Sequence, residues 1–290
     1  MKKALYKYGF IALFASAILF TYLQVAFELI KEPRLRRSLP EVVLEPLNTE
    51  TWFSAKWQSS LIDYTKRNFG FFNSAFLEYN QLDFSLFNKV HARDVVIGED
   101  NFLYEKDYID AYYGNDLLSD SLIDVESKKL KMISDYLDSV NTKLVVLFAP
   151  GKASFYPEYF PENLRQAAPG KTNNSEFEKA FKKQGINYIN LRDWFLEMKD
   201  TSSYPLVPQT GIHWSYYGML LATDSIINYT EELLNKQLPN IELGKIVTSK
   251  KPKSTDGDIE YGLNVFEPLN KQVLAYPRYK YEVGEFDTVK

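Results

Sequence analysis

An uncharged run of 20 residues, Tyr8 to Phe27 (YGFIALFASAILFTYLQVAF), stands at the N-terminus behind Lys2, Lys3 and Lys7. As a helix it would be about 30 Å long, the thickness of a bilayer core. A cleaved signal peptide has a shorter apolar centre and a small-residue exit. The one such triplet, Ala15-Ser16-Ala17, lies mid-run with Ile18, Leu19 and Phe20 still to come. The run therefore reads as an uncleaved anchor rather than a buried core helix. Lys31, Arg34, Arg36 and Arg37 beyond it are offset by Glu28 and Glu32, so the positive charge is nearly balanced across the span. The reading adopted puts residues 1–7 in the cytoplasm, 8–27 across the inner membrane as a single pass, and the main domain in the periplasm.

Composition removes several chemistries. The 290 residues include no Cys and two His, which excludes thiol, disulfide and His-rich metal sites. A net charge of −4, from 34 basic and 38 acidic residues without a long basic block, gives no electrostatic footprint for nucleic acid.

Beyond the span, residues 28–50 carry Pro33, Pro40 and Pro46 among alternating charges and read as a linker lifting the body off the membrane. Residues 51–290 read as one extracytoplasmic domain. It begins with an aromatic-rich stretch from Thr51 to Phe87 (Trp52, Phe53, Trp57, Leu61, Tyr64), a helical layer on the core or a surface that grips a ligand. Val95–Gly98 and Phe102–Tyr104 flank a Glu99-Asp100-Asn101 turn of hairpin type. Ser119 to Asn141 has helical periodicity, and Lys143 to Ala149 is an apolar strand of the kind buried on both faces. Ser175 with Glu178 suggests a capping box, Gly185 a helix end, and Ile186 to Leu191 the next strand. Tandem helix-strand units imply an α/β layered fold with a parallel sheet. A helix is expected from Ser215 to about Leu234, and the Pro-containing tail from 239 reads as irregular.

His213, in Thr210-Gly211-Ile212-His213-Trp214-Ser215, follows a loop with Pro205 and Pro208 and precedes a helix, where α/β folds put their sites. By spacing alone a structural imidazole is the plainer reading, since a base needs a nucleophile and an orienting carboxylate. His91 reads as a residue of a solvated linker. None of the 13 Gly has Ser two positions later, so no nucleophile elbow is visible. Gly170-Lys171-Thr172 lacks the strand and the earlier glycine of a phosphate loop. Asp256 and Asp258 read as solvated acids in a turn, ahead of any glycosidase pair.

Taken together, four stretches in order resemble the SGNH-hydrolase-like proteins related to the alginate O-acetyltransferases. They are Val95 to Tyr104; Leu147-Phe148-Ala149-Pro150-Gly151-Lys152 continuing to Tyr156-Pro157-Glu158-Tyr159-Phe160-Pro161; Ile189-Asn190-Leu191-Arg192; and Thr210 to Trp214. The resemblance spans roughly residues 66–290. It implies an SGNH/flavodoxin-like three-layer fold with a parallel sheet. It also implies a membrane-associated enzyme that moves an acetyl group onto a polysaccharide through a Ser-His-Asp triad, without metal or cofactor, beside a membrane-bound acyl-transfer protein. His213 matches the general base. Trp214 would pack beside the imidazole in the substrate site. Lys152 would face an anionic sugar or simply the surface.

The departures are specific. The family's Asp two residues before the His is Gly211 here, and two further acidic positions hold Gly151 and Asn190. The family's serine follows the His in a strand-turn of Gly-Asp-Ser kind, and none appears. A nucleophile beyond residue 290 is the preferred account, the C-terminal part of the fold being missing; a catalytically dead relative is the other. The function expected is thus O-acetylation of a cell-surface or exported polysaccharide. The alternatives are a carbohydrate acetylesterase and a non-catalytic polysaccharide-binding or scaffold protein of an export machine.

Overall fold

The computed structural model describes residues 2–167, 169–239 and 241–280. They form two compact units: residues up to His91 with Tyr261–Glu267, and Ala92–Glu260 with the residues from Pro268 on. The stretch 51–91 and the insert Tyr261–Glu267 fall in the first unit.

In the first unit α1 (Lys2–Phe27) carries the apolar run, whose window Tyr8–Phe27 has a mean hydropathy of 2.0 and is 6% buried, long and apolar enough to cross a membrane. Gln24 closes the chain after the span, its amide donating to Ile30 O (2.6 Å) and accepting from Ile30 N (2.9 Å). Residues 28–47 form no helix or strand, yet they are more than a spacer. The Glu32 carboxylate accepts from Ser74 N and Oγ at 3.0 and 2.9 Å. Asn264 Oδ1 accepts from the amides of Arg36 and Arg37 at 2.9 and 3.2 Å, and its Nδ2 donates to Arg37 O at 3.1 Å. A segment without its own ladder must place its backbone groups somewhere, and these side chains take them.

The aromatic stretch is helical, as α2 (Thr49–Phe53), α3 (Lys56–Arg67) and α4 (Phe72–Phe87). Its packing is one-sided: Leu77 and Asn80 are buried, whereas Trp52 and Phe53 are 48% and 82% exposed. His91 is exposed in the segment after α4, as expected of a solvated linker, but it is tethered there. It bonds Asp83 (Nε2···Oδ2 2.6 Å), stacks on Tyr79 at 4.9 Å, and holds the Asp83 carboxyl below its ordinary value.

In the second unit β1 (Val95–Ile97) and β2 (Leu103–Glu105) pair antiparallel with Val96 opposite Tyr104. Asp100 and Asn101 take the positive φ of the turn, 52° and 62°, which short polar side chains tolerate. There follow α5 (Lys106–Tyr113), α6 (Asp120–Ser139), β3 (Val146–Phe148), α7 (Lys152–Phe155), α8 (Asn173–Gln184), β4 (Tyr188–Asn190), α9 (Leu191–Met198) and α10 (Tyr216–Leu234). The order closes with β5 (Glu242–Ser249), α11 (Asp258–Leu263, to Glu260 in this unit) and β6 (Leu274–Lys280).

β3 and β4 pair in parallel with Leu147 opposite Ile189, so the α/β class and the parallel pairing hold. The three-layer sheet does not: among the described residues β3 pairs with β4 alone. Successive side chains alternate across a strand. Phe148 turns onto Phe181 of α8 at 5.6 Å, and Leu147, on the other face, is 42% exposed rather than buried.

Two further readings shift. The cap of α8 is Thr172, whose hydroxyl accepts from Ser175 N (3.3 Å) while Ser175 Oγ accepts from Thr172 N (3.1 Å), so Ser175 is the third helical residue and not the cap. Gly185 does end the helix, at φ 67°. The tail is not irregular through residue 280: β5 and β6 pair antiparallel, with Pro277 opposite Ile246 beside the register shift at Leu243/Ile246. Proline sits in a sheet at such irregularities, and it hid the strand from the sequence pattern. Residues 281–290 lie outside the described residues.

Replacing Asn264 by Ala removes three hydrogen bonds and leaves a non-glycine residue at φ 49°. We expect a loss of about 2–4 kcal/mol, read as a lower urea midpoint of the chain in detergent micelles.

Candidate active site

The site grows from a loop with almost no ladder of its own, residues 205–212. Leu206 and Val207 anchor it in a cluster with Phe155, Leu191, Phe195 and Ala222. Gln209 ties its middle: Nε2 donates to Asp100 O (2.5 Å), Oε1 accepts from Lys271 N (2.7 Å), and its own amide donates to Gln272 Oε1 (2.8 Å). Beneath lies Lys152, the first residue of α7, with no exposed surface. Its Nζ donates to Pro208 O (2.8 Å), Gln209 O (2.6 Å) and Gly211 O (2.7 Å). Three acceptors match the three N–H donors of an ammonium. Burial pushes that ammonium well below the ordinary lysine range, and the Asp258 carboxylate pulls it back.

At the end of the loop the chain turns outward. Ser215 caps α10, its Oγ accepting from Gly218 N (2.9 Å) and donating to Pro205 O (2.6 Å). His213 is held between this cap and the pinned loop, its side chain 55% exposed. Its Nδ1 lies 2.8 Å from Asp258 Oδ2, while Asp258 Oδ1 accepts from Ile212 N (3.0 Å) and Ile259 N (2.8 Å). A carboxylate so fixed selects the tautomer protonated at Nδ1 and leaves Nε2 as the acceptor, the arrangement of a general base.

Gly211 explains how Asp258 gets there. A Cβ at this position would stand 2.4 Å from Thr255 O and 2.8 Å from the carbonyl of Asp256. No side chain fits at residue 211, and the carboxylate that meets the imidazole comes from Asp258, 45 residues beyond His213. The reading of Asp256 and Asp258 as solvated acids is corrected on both counts. Asp258 holds the imidazole, and Asp256 is fully buried. Burial raises Asp256 to about 6, with Tyr276 and the Tyr216 backbone amide pulling down and Asp258 adding to the rise.

The other expected site residues fall differently. Lys152 is a buried clamp, and the sugar-facing or surface position expected for it is not where the structure puts it. Trp214 turns to the core, 6.1 Å from the Phe195 ring. Asn190 caps α9, accepting from Asp193 N. Gly151 lines a cleft of about 290 Å³ with Tyr108, Tyr112, Ser154, Asn173 and Arg192. Burial, Glu105 and Asp258 together raise the Tyr108 hydroxyl. Asp258 was missed because nothing in its local sequence points at His213; a carboxylate two residues into a turn is common on any surface.

In sequence, the profile of the SGNH hydrolase-like domain of the acetyltransferase AlgX matches residues 95–283. No curated protein matches. Among solved structures, the O-acetyltransferase domain of Pseudomonas putida AlgJ is 18% identical over 64% of this chain, with a TM-score of 0.45. This chain spans 65% of that one. Bacillus cereus PatB1 is 14% identical over 64% of this chain and 58% of its own, with a TM-score of 0.40.

The Asp256 carboxyl gives a pH test. Its folded value lies above its ordinary value of 3.8, so folding favours the protonated form. That advantage is complete below about pH 4 and is lost as pH rises through about 6. Asp256→Asn should therefore gain stability relative to the parent between pH 4 and pH 7.5, by about 3 kcal/mol at most. Urea midpoints of both proteins at the two pH values check this, and a gap that is constant with pH would refute it.

Proposed function

The chain belongs to the family of the SGNH hydrolase-like domain of the acetyltransferase AlgX, and from that premise we propose that it is a membrane-anchored, extracytoplasmic O-acetyltransferase acting on a cell-surface or exported polysaccharide. The observation that carries the proposal is the His213–Asp258 pair, 2.8 Å apart and seated on a loop that Lys152 pins from below. The His91–Asp83 pair is also close, but only at His213 is the carboxylate fixed by two backbone donors and the outer ring nitrogen left at a half-exposed edge.

The chemistry follows from that geometry. A serine hydroxyl approaching Nε2 gives up its proton to His213 as its oxygen attacks the carbonyl of an acyl donor. Asp258 stabilises the imidazolium that forms, and the proton passes to the leaving group, leaving an acyl-serine. A sugar hydroxyl then gives its proton to Nε2 and attacks the acyl carbon, which forms the ester and restores the serine. Water as acceptor would make the same machinery an esterase. The proposal requires a serine hydroxyl presented to His213 Nε2, as acyl transfer through a Ser-His pair demands. The apolar Tyr8–Phe27 helix supports the anchor, and a membrane-bound acyl-transfer protein is the partner proposed to deliver the acyl group.

The test is the acetyl content of the polymer made by cells carrying variants of the whole gene. His213→Ala should abolish acetylation. Asp258→Asn should lower the rate by roughly 10²–10⁴-fold, with the fold intact by circular dichroism. Retained acetylation in the His213→Ala strain would overturn the proposal.

A further inference from the structure

The corner between α3 and α4 has a position that its own sequence does not explain. Phe69, Gly70, Phe71 and Phe72 are a polar chain's least comfortable tip: Phe69 is 45% exposed. This tip packs on the apolar run of α1. The Phe71 ring stacks on Phe20 at 5.4 Å. Gly70 lies so close that a Cβ there would stand 2.4 Å from Thr21 O and 2.9 Å from Gln24 Cβ. A second fixing point sets the direction of the corner. The first turn of α4 is tied to the chain just past the span, through Ser74 to Glu32 and through Asn73 Nδ2 to Pro33 O (3.0 Å).

Depth follows from helix geometry. Phe20 is seven residues before Phe27, so at 1.5 Å per residue the contact lies roughly 10 Å inside the end of the apolar run. Whatever surrounds Phe20 also meets the outer side of the corner. The flanks suit a bilayer boundary: Lys66 and Arg67 precede the phenylalanines, and the Arg67 guanidinium lies 4.5 Å from the Phe72 ring centre. Aromatic rings beside cations are the composition that settles between acyl chains and anionic headgroups.

We propose that the α3–α4 corner, residues 66–72, is a membrane-interface foot that inserts its phenylalanines into the outer boundary of the lipid bilayer beside the anchor. This rests on the reading of Tyr8–Phe27 as a membrane span. A foot held at a second point fixes the tilt and rotation of the first unit on the membrane, which one helix followed by a flexible linker cannot do.

The chain has no Cys, so single labelling sites are clean. Four full-chain variants, Phe69→Cys, Asn68→Cys, Leu13→Cys and Met132→Cys, each carrying an NBD fluorophore, are reconstituted alone into mixed phosphatidylcholine and phosphatidylglycerol vesicles. Asn68 is exposed and serves if the change at Phe69 perturbs folding. The labels at 68 and 69 should shift to the blue and lose emission to lipids with shallow nitroxides, whereas the label at 132, on an exposed α6 residue, keeps the emission of water. If the label at 13 is quenched by lipid while those at 68 and 69 behave like the one at 132, the foot is refuted and the anchor stands. If the label at 13 is not quenched either, the anchor reading fails and the foot with it.

Discussion

The buried ammonium of Lys152 is the constraint on which the site depends. Three carbonyls of one loop, at Pro208, Gln209 and Gly211, converge on it, and Gln209 O also accepts from the Leu103 amide of β2 at 3.1 Å. Buried carbonyls left unpaired are costly, and a buried cation left unpaired is costlier. Each solves the other's problem, and the loop is thereby fixed in one conformation without belonging to any regular element. Gln209 secures the same loop from above through Asp100 O and Lys271 N. A side chain needed for chemistry must be held within a fraction of an ångström, and His213 has its support supplied by neighbours rather than by its own contacts.

A second dependence runs through Gly211. An aspartate at this place in the motif would orient the imidazole locally, from two residues away. Here the backbone of Thr255 and Asp256 occupies the volume a side chain would need, and the carboxylate comes from Asp258 instead. The contact at the imidazole is kept while its residue is not, because what the imidazole requires is an acceptor at Nδ1 and not a particular chain position. The cost is that orientation now depends on the packing of residues 255–260 against the loop, including the Glu260 N to Thr210 O bond at 3.2 Å.

This explains what the sequence discloses. Periodicity and caps locate α6, α10 and the β1–β2 hairpin because these elements are specified by neighbours within a few residues. His213 is legible because motif order and a helix start frame it. Asp258 is illegible because its partner is 45 residues away and its setting, among prolines, resembles any solvated turn. Lys152 is illegible for a different reason: lysine is rarely fully buried, and only the converging carbonyls of a folded loop make that position favourable. β6 escaped because Pro277 argues against a central strand, and its tolerance depends on the irregularity opposite.

Asp256 and Asp258 show how two identical side chains, two residues apart, are given different work. Asp258 accepts from two backbone amides and lies 2.8 Å from the imidazole Nδ1. Asp256 is turned into the protein, where burial raises it to about 6. Proximity of the Asp258 charge adds to that rise, so the inner carboxyl holds its proton more readily than a free one, while the outer side chain lies against His213. Below about pH 6 the buried member is neutral, and the imidazole faces a single carboxylate. Above it, a second negative charge develops two residues from the carboxylate that holds His213. The buried ammonium of Lys152 answers to Asp258 instead, whose carboxylate counters the lowering that burial imposes and whose other contact is the imidazole at the exposed edge.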